Sequence, residues 1–191
     1  ISFFAGMRQT SVSLKTLTAT GRGDNLRYHG NDRESKKQRM LCQVAMFLHR
    51  ELPIRLAHRV NDLDSIPRLG NYKSTRDVRQ MYVTSFDEIR EAATPNCRGE
   101  EESFAELCRG IYSRHSAVLL MMARSAYELR ADFGNREAFH SELEDIHGFL
   151  DKFYMSRIGI RMLIGQYLAL REDATDFDDG FVGLVSQNTS P

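Results

Sequence analysis

The chain has 191 residues, and its 26 Lys plus Arg balance 26 Asp plus Glu to a net charge of zero. A charge-balanced chain without a basic stripe is a poor nucleic-acid binder, and no apolar run approaches the roughly eighteen residues of a membrane span. Hydrophobic residues make up 41% of the chain, enough for one sizeable core. The three cysteines, Cys42, Cys97 and Cys108, are odd in number and lack CxxC spacing. That argues against a disulfide framework and a structural zinc site and fits a reducing compartment, so no metal site is expected. The sequence opens on Ile1, so a targeting peptide is neither shown nor excluded.

A short helix is expected at roughly residues 11–20, with Ser11 as its cap. Gly21 to Arg39 is rich in Gly, Asn, Asp, Arg and Lys and reads as a flexible loop; its Arg22-Gly23-Asp24 is loop composition rather than an adhesion motif. The first long helix is expected from about Met40 to Asp64, with Leu41, Ala45, Leu48, Leu52 and Leu56 on one face. Pro53 should kink or break it, and Ile66-Pro67 ends it. A second helix follows Ser74, read as a cap with Asp77 three residues on, and runs to about Ala93 before Pro95. Its buried face is Val78, Tyr82, Ser85 and Ile89. The third is expected from about Glu100 to Asp132 with Glu100, Glu101 and Glu102 at its positive end and Gly134-Asn135 as its stop. The fourth spans about Arg136 to Arg171. Beyond Glu172, Phe181 to Val185 reads as a short connector strand with no second strand to pair with it.

The fold class is therefore all-α: an antiparallel four-helix bundle with a short N-terminal helix. Residues 1–39 form an N-terminal segment, 40–175 the bundle and 176–191 a connector.

Heptad registers expose polar residues inside apolar seams. On the fourth helix the seam is Phe139, Leu143, Ile146, Leu150, Phe153, Arg157, Ile160, Ile164 and Tyr167. On the third it is Phe104, Cys108, Ile111, His115, Val118, Met122, Ser125 and Leu129. A guanidinium cannot shed its proton, and leaving it buried without a partner costs several kcal/mol, so Arg157 needs an anion. The seams hold no carboxylate, whereas Arg161, His115 and Tyr82 add donors nearby. Such a cluster suits a small carboxylate or phosphate. The plainer alternative is that Arg157 snorkels or pairs with Glu51, Asp87 or Glu88, and that His115 is a satisfied core residue.

Three stretches carry a resemblance to a known family. The first is Phe47-Leu48-His49-Arg50-Glu51-Leu52-Pro53-Ile54-Arg55-Leu56-Ala57-His58-Arg59. The second is Arg114-His115-Ser116-Ala117-Val118. The third runs from Phe149-Leu150-Asp151-Lys152-Phe153-Tyr154 through Arg157-Ile158-Gly159-Ile160-Arg161-Met162-Leu163. In this order and spacing they resemble the mitochondrial 2-oxoacid dehydrogenase kinases, the family of pyruvate and branched-chain 2-oxoacid dehydrogenase kinases, over roughly residues 10–185. The resemblance implies a regulatory domain of a protein-serine kinase that inactivates the dehydrogenase component of a 2-oxoacid dehydrogenase complex in the mitochondrial matrix. It also implies an inhibitory 2-oxoacid pocket at Leu56, Tyr82, Ser85, Ile111, His115, Ser156, Arg157, Ile160, Arg161 and Ile164. A slot for the lipoyl group of the acyltransferase core is implied at Val12, Leu17, Thr20 and Phe47. Tyr112 departs from the arginine that many pyruvate dehydrogenase kinases carry there, and Thr20 from an aromatic residue. The subtype signals are mixed between pyruvate and branched-chain kinases.

The family's ATP-binding half needs an acidic-Asn box, an Asp-x-Gly-x-Gly turn and a Gly-rich lid. None of these occurs here, and Asp178-Asp179-Gly180 lacks the second glycine. ATP and Mg2+ are thus expected in an absent domain. No catalytic, cofactor-binding or metal residue is expected in this chain, which alone should not transfer phosphate. It reads as a piece of a longer kinase or a protein that has kept only the regulatory half, monomeric or weakly associating. Two alternatives remain: a histidine phosphotransfer bundle acting through His115, and a plain helical interaction domain.

Overall fold

The computed structural model describes residues 1–24, 32–66, 68–132, 136–172 and 180–186, with the backbone alone for residues 33 and 136–145. Apart from one small hairpin, its regular structure is helical.

Helix α1 (Ser2–Ala5) packs on the long central helix, with the Phe4 ring edge-on to Phe86 at 5.3 Å. Helix α2 spans Leu14–Arg22, and its cap is Ser13, not Ser11: Ser13 Oγ accepts the Thr16 N–H at 3.1 Å. The residues before it are held extended by the next helix. Glu51 Oε1 accepts the Thr10 N–H at 2.9 Å, and Arg55 Nη2 donates to the Thr10 carbonyl at 2.6 Å. Gly23 adopts φ 72°, and the N–H groups of Gly23 and Asp24 bond to Thr20 and Ala19 carbonyls. Arg22-Gly23-Asp24 is therefore a helix C-terminus that uses glycine's freedom at positive φ.

Helix α3 runs from Arg33 to Asp64, so it begins well before Met40. Asp32 caps it, accepting from Glu34 N at 3.3 Å and Ser35 N at 3.1 Å. The expected loop thus shrinks, and its residues 25–31 lie outside the described ones. Helix α3 passes through Pro53 unbroken. Leu41, Ala45, Leu48, Leu52 and Leu56 are all buried, and that continuous apolar face offsets the bond Pro53 cannot donate. The predicted stop at Pro67 falls outside the described residues, and the helix closes two residues before Ile66.

Helix α4 (Lys73–Glu91) starts directly from a 3-10 turn at Leu69–Asn71. Ser74 is buried inside its first turn rather than capping it, and Asp77 binds Lys73 at 2.7 Å. Val78, Tyr82, Ser85 and Ile89 are buried as expected.

The expected third helix is two. Helix α5 covers Arg98–Arg114, a 3-10 turn takes His115–Ala117, and α6 covers Val118–Asp132. All eight seam residues from Phe104 to Leu129 are nevertheless buried, because the short turn keeps the side chains in phase. Of the three N-terminal glutamates, Glu100 bonds the N–H groups of Asn96 and Cys97, while Glu101 is buried. Gly134 and Asn135 lie outside the described residues.

Helix α7 spans Arg136–Glu172 and buries Ile146, Phe153, Ile160, Ile164 and Tyr167, with Leu150 half-buried. The side chains of Phe139 and Leu143 lie outside the description. The connector is a hairpin and not a lone strand: β1 (Phe181–Val182) pairs antiparallel with β2 (Val185–Ser186). Gln166 of α7 clasps it, donating to the Val182 carbonyl at 2.9 Å and accepting the Leu184 N–H at 2.8 Å. A Cβ on Gly21 would lie 2.5 Å from Val182 Cγ1, so α2 meets the hairpin only because position 21 has no side chain. Helix α3 packs against α4, α5 and α7, and α4 against α6.

Candidate functional site

The polar residues of the seams meet between α4, the α5–α6 break and α7. Tyr82 and Ser85 are fully buried on α4, and His115 is 3% exposed at the break. The Tyr82 and His115 rings lie 4.5 Å apart, edge to face, and Phe153 packs on Tyr82 at 5.8 Å.

Ser85 Oγ gives its one proton to the Met81 carbonyl at 2.8 Å. It therefore accepts from Arg114 Nη1 at 2.9 Å and from His115 Nε2 at 2.9 Å, which makes Nε2 the protonated nitrogen. Burial holds the imidazole neutral, with its pKa pushed down to about 4, and the Met81 carbonyl only partly opposes this. Nearby Arg114, Arg157 and Arg161 push the same way as burial.

The two α7 arginines end on backbone carbonyls. Arg157 Nη2 donates to the His115 carbonyl and Arg161 Nη1 to the Tyr112 carbonyl, each at 3.0 Å. The Tyr112 carbonyl lies in the last turn of α5, at the negative end of the helix dipole, and the His115 carbonyl, which also accepts the Val118 N–H, follows it. The Arg161 guanidinium also stacks 3.7 Å from the Tyr112 ring centroid. Tyr112 thus holds Arg161 by its ring and its carbonyl.

The carboxylates once available to Arg157 are spent or remote. Glu88 forms a two-point pair with Arg114 at 2.7 and 2.6 Å, Glu51 pairs with Arg55 at 2.9 Å, and Asp87 is exposed. Among the described residues, no acceptor reaches Arg157 Nε or the Tyr82 hydroxyl. Burial raises the Tyr82 pKa to about 12, against the pull of Arg157, Arg59 and Arg161, so the phenol is a donor in search of a partner.

Around these donors, Leu56, Ile111, Ile160 and Ile164 are buried apolar neighbours on α3, α5 and α7, and Ser156 is half-buried beside Arg157. Two residues escaped the sequence reading. Arg114 orients Ser85; its place beside His115 was the available signal. Arg59 is buried one turn after Leu56 on the same apolar face, a register that marks it as inward-facing.

The four lipoyl-slot residues are not brought into one cavity. Val12 and Leu17 line a cavity of about 520 Å³ with Leu14, Arg55, Met162 and Leu163. Thr20 and Phe47 do not line it; Phe47 packs half-buried against the core. A second buried network was also unforeseen: Glu101 accepts from Tyr167 at 2.6 Å and from Arg171 at 2.5 Å. Cys108 is buried with its pKa raised to about 12, which makes it inert packing. No group of three or more His, Cys, Asp or Glu suited to a metal occurs among the described residues, and no described helix is long and apolar enough to cross a membrane.

Comparison with known proteins adds the relatives. Residues 11–186 match the family model described as mitochondrial branched-chain alpha-ketoacid dehydrogenase kinase. A mitochondrial [pyruvate dehydrogenase (acetyl-transferring)] kinase of Arabidopsis thaliana is 36% identical over 97% of this chain and 46% of its own length. Its Drosophila melanogaster counterpart is 31% identical over 89% of this chain and 38% of its own length. Mouse isozyme 3 is 35% identical over 65% of this chain and 30% of its own length. The chain therefore spans less than half of these relatives. On a match that takes in nearly all of it, the chain belongs to the mitochondrial 2-oxoacid dehydrogenase kinase family.

Proposed function

We propose that this chain is the regulatory domain of a mitochondrial protein-serine kinase acting on a 2-oxoacid dehydrogenase complex, built as a four-helix bundle that binds a 2-oxoacid. The ligand's carboxylate is assigned to Arg157 and Arg161, with Tyr82 donating to its oxygens and His115, whose one proton is held by Ser85, lining the site. Ser85 fixes His115, Ser156 flanks Arg157, and Leu56, Ile111, Ile160 and Ile164 enclose the carbon chain. One observation carries this reading: the hydroxyl of buried Tyr82 and the buried Nε of half-buried Arg157 are donors with no acceptor among the described residues. Native interiors rarely leave such groups unpaired, and one small anion satisfies both.

The whole kinase is assigned to the mitochondrial matrix, with the dehydrogenase component as its substrate and the lipoyl domain of the acyltransferase core as its anchor. Val12 and Leu17 are the better-placed half of the lipoyl slot. Phosphate transfer, ATP and Mg2+ are assigned to a part of the kinase outside this sequence. The phosphotransfer alternative finds no support in His115, which is buried, neutral and already bonded to Ser85.

Calorimetric titration with pyruvate and 4-methyl-2-oxopentanoate tests the pocket. Binding should weaken at least about tenfold in Arg157→Met, the loss of one charge-assisted contact. No binding of either acid, or unchanged binding in Arg157→Met, would leave only an interaction domain.

A further inference from the structure

Five buried polar atoms find no hydrogen-bond partner among the described residues: Arg59 Nε and Nη1, Thr75 Oγ1, Tyr82 Oη and Arg157 Nε. Three of these four residues converge. Side chains on a helix lean toward its N-terminus. Arg157 on α7 leans back over Phe153, one turn earlier, whose ring packs on Tyr82 at 5.8 Å. Arg59 on α3 reaches forward to Asp62 through Nη2, on the helix that packs against α4, the helix bearing Tyr82. The Tyr82 hydroxyl accordingly feels the positive charge of both guanidinia.

Charge at this place does not balance. Arg157 and Arg161 hold only backbone carbonyls and a ring. Arg59, 6% exposed, pairs through Nη2 with Asp62 at 2.6 Å, but its Nε and Nη1 stay unmatched. A monocarboxylate neutralises one of the two surplus charges and leaves the donors of Arg59 unmet. A ligand with a second carboxylate neutralises both charges and reaches the third arginine.

Resting on the 2-oxoacid reading above, we propose that Arg59 forms a second end of the same site and that the ligand it selects is a small dicarboxylic 2-oxoacid. One carboxylate meets Arg157 and Arg161, the other meets Arg59, and the Tyr82 hydroxyl bonds between them. A single phosphate has one anionic centre and serves both ends poorly.

The test titrates the 191-residue chain with 2-oxoglutarate, with 2-oxopentanoate, which has the same carbon chain without the second carboxylate, and with inorganic phosphate. We expect 2-oxoglutarate to bind about tenfold or more tightly than 2-oxopentanoate. Arg59→Met, which keeps the side-chain volume, should bring the two acids within about twofold by weakening 2-oxoglutarate alone. Asp62→Asn, which releases Arg59, should widen the gap. Equal affinities in the unaltered chain, a preference that survives Arg59→Met, or phosphate binding as tight as 2-oxoglutarate overturns the dicarboxylate assignment and leaves the 2-oxoacid pocket standing. If no 2-oxoacid binds, the pocket itself fails.

Discussion

Ser85 Oγ and His115 Nε2 lie 2.9 Å apart, with the serine's proton already committed to the Met81 carbonyl. The imidazole is thereby locked in one tautomer, and burial keeps it neutral. The serine accepts from both His115 and Arg114, so it has no capacity left for a ligand. In the proposed site Ser85 holds His115, which leaves Tyr82, Arg157 and Arg161 as the donors for a ligand.

Stability should fall as pH drops through the His115 window. Its folded pKa is about 4 against an ordinary value of 6.5. Above pH 6.5 the ring is neutral in both states and contributes no pH dependence. Between these values the unfolded chain takes up a proton that the folded chain refuses, so stability is lost from about pH 6.5 down to about pH 4. The loss is roughly 2–3 kcal/mol, and His115→Gln should flatten that part of the curve. Urea midpoints across pH 4–7 measure it; an equally steep curve in the variant refutes the assignment.

Tyr82→Phe should raise the stability of the ligand-free chain by about 1 kcal/mol, because it deletes a fully buried hydroxyl that has no partner among the described residues. The same change should weaken 2-oxoacid binding. Thermal unfolding with and without ligand separates the two effects, and destabilisation of the ligand-free form would reveal a bond that holds the helices together.

Glu101→Ala should destabilise by about 3 kcal/mol or more. It strips the buried partner from Tyr167 and Arg171 together, and removing one member of a buried ion pair leaves the other uncompensated. Chemical denaturation monitored by circular dichroism gives the value; a change below about 1 kcal/mol would mean that water replaces the carboxylate.

Gly21→Ala should cost about 1–3 kcal/mol, since the added Cβ would stand 2.5 Å from Val182 and 3.0 Å from Leu170. The strain falls where α2, α7 and the hairpin meet, so faster amide exchange at Leu184, whose N–H bonds Gln166, should accompany it. Unchanged exchange there would show that α2 moves while the hairpin stays clasped.

The sequence showed the inward faces well. Eight of eight positions from Phe104 to Leu129 in the third seam are buried, as are Val78, Tyr82, Ser85 and Ile89. Element ends were less legible. Ser11 and Ser74 have the chemistry of caps, but Ser13 and Tyr72 occupy those places. Glu101 was read as a charge at a helix start, and its burial depends on Tyr167, sixty-six residues away.

By itself, then, the sequence determined an all-helical chain, its apolar seams and the arginine and histidine within them, because burial repeats with the helical period. Only the tertiary structure decided how those polar groups are satisfied. The break at His115 leaves the periodicity intact and presents the His115 and Tyr112 carbonyls to Arg157 and Arg161. Arg59 Nε and Nη1 and the Tyr82 hydroxyl remain unmatched because the helices that meet there offer them no acceptor among the described residues. Hydrogen-bond satisfaction is a property of that meeting, and no single helix encodes it.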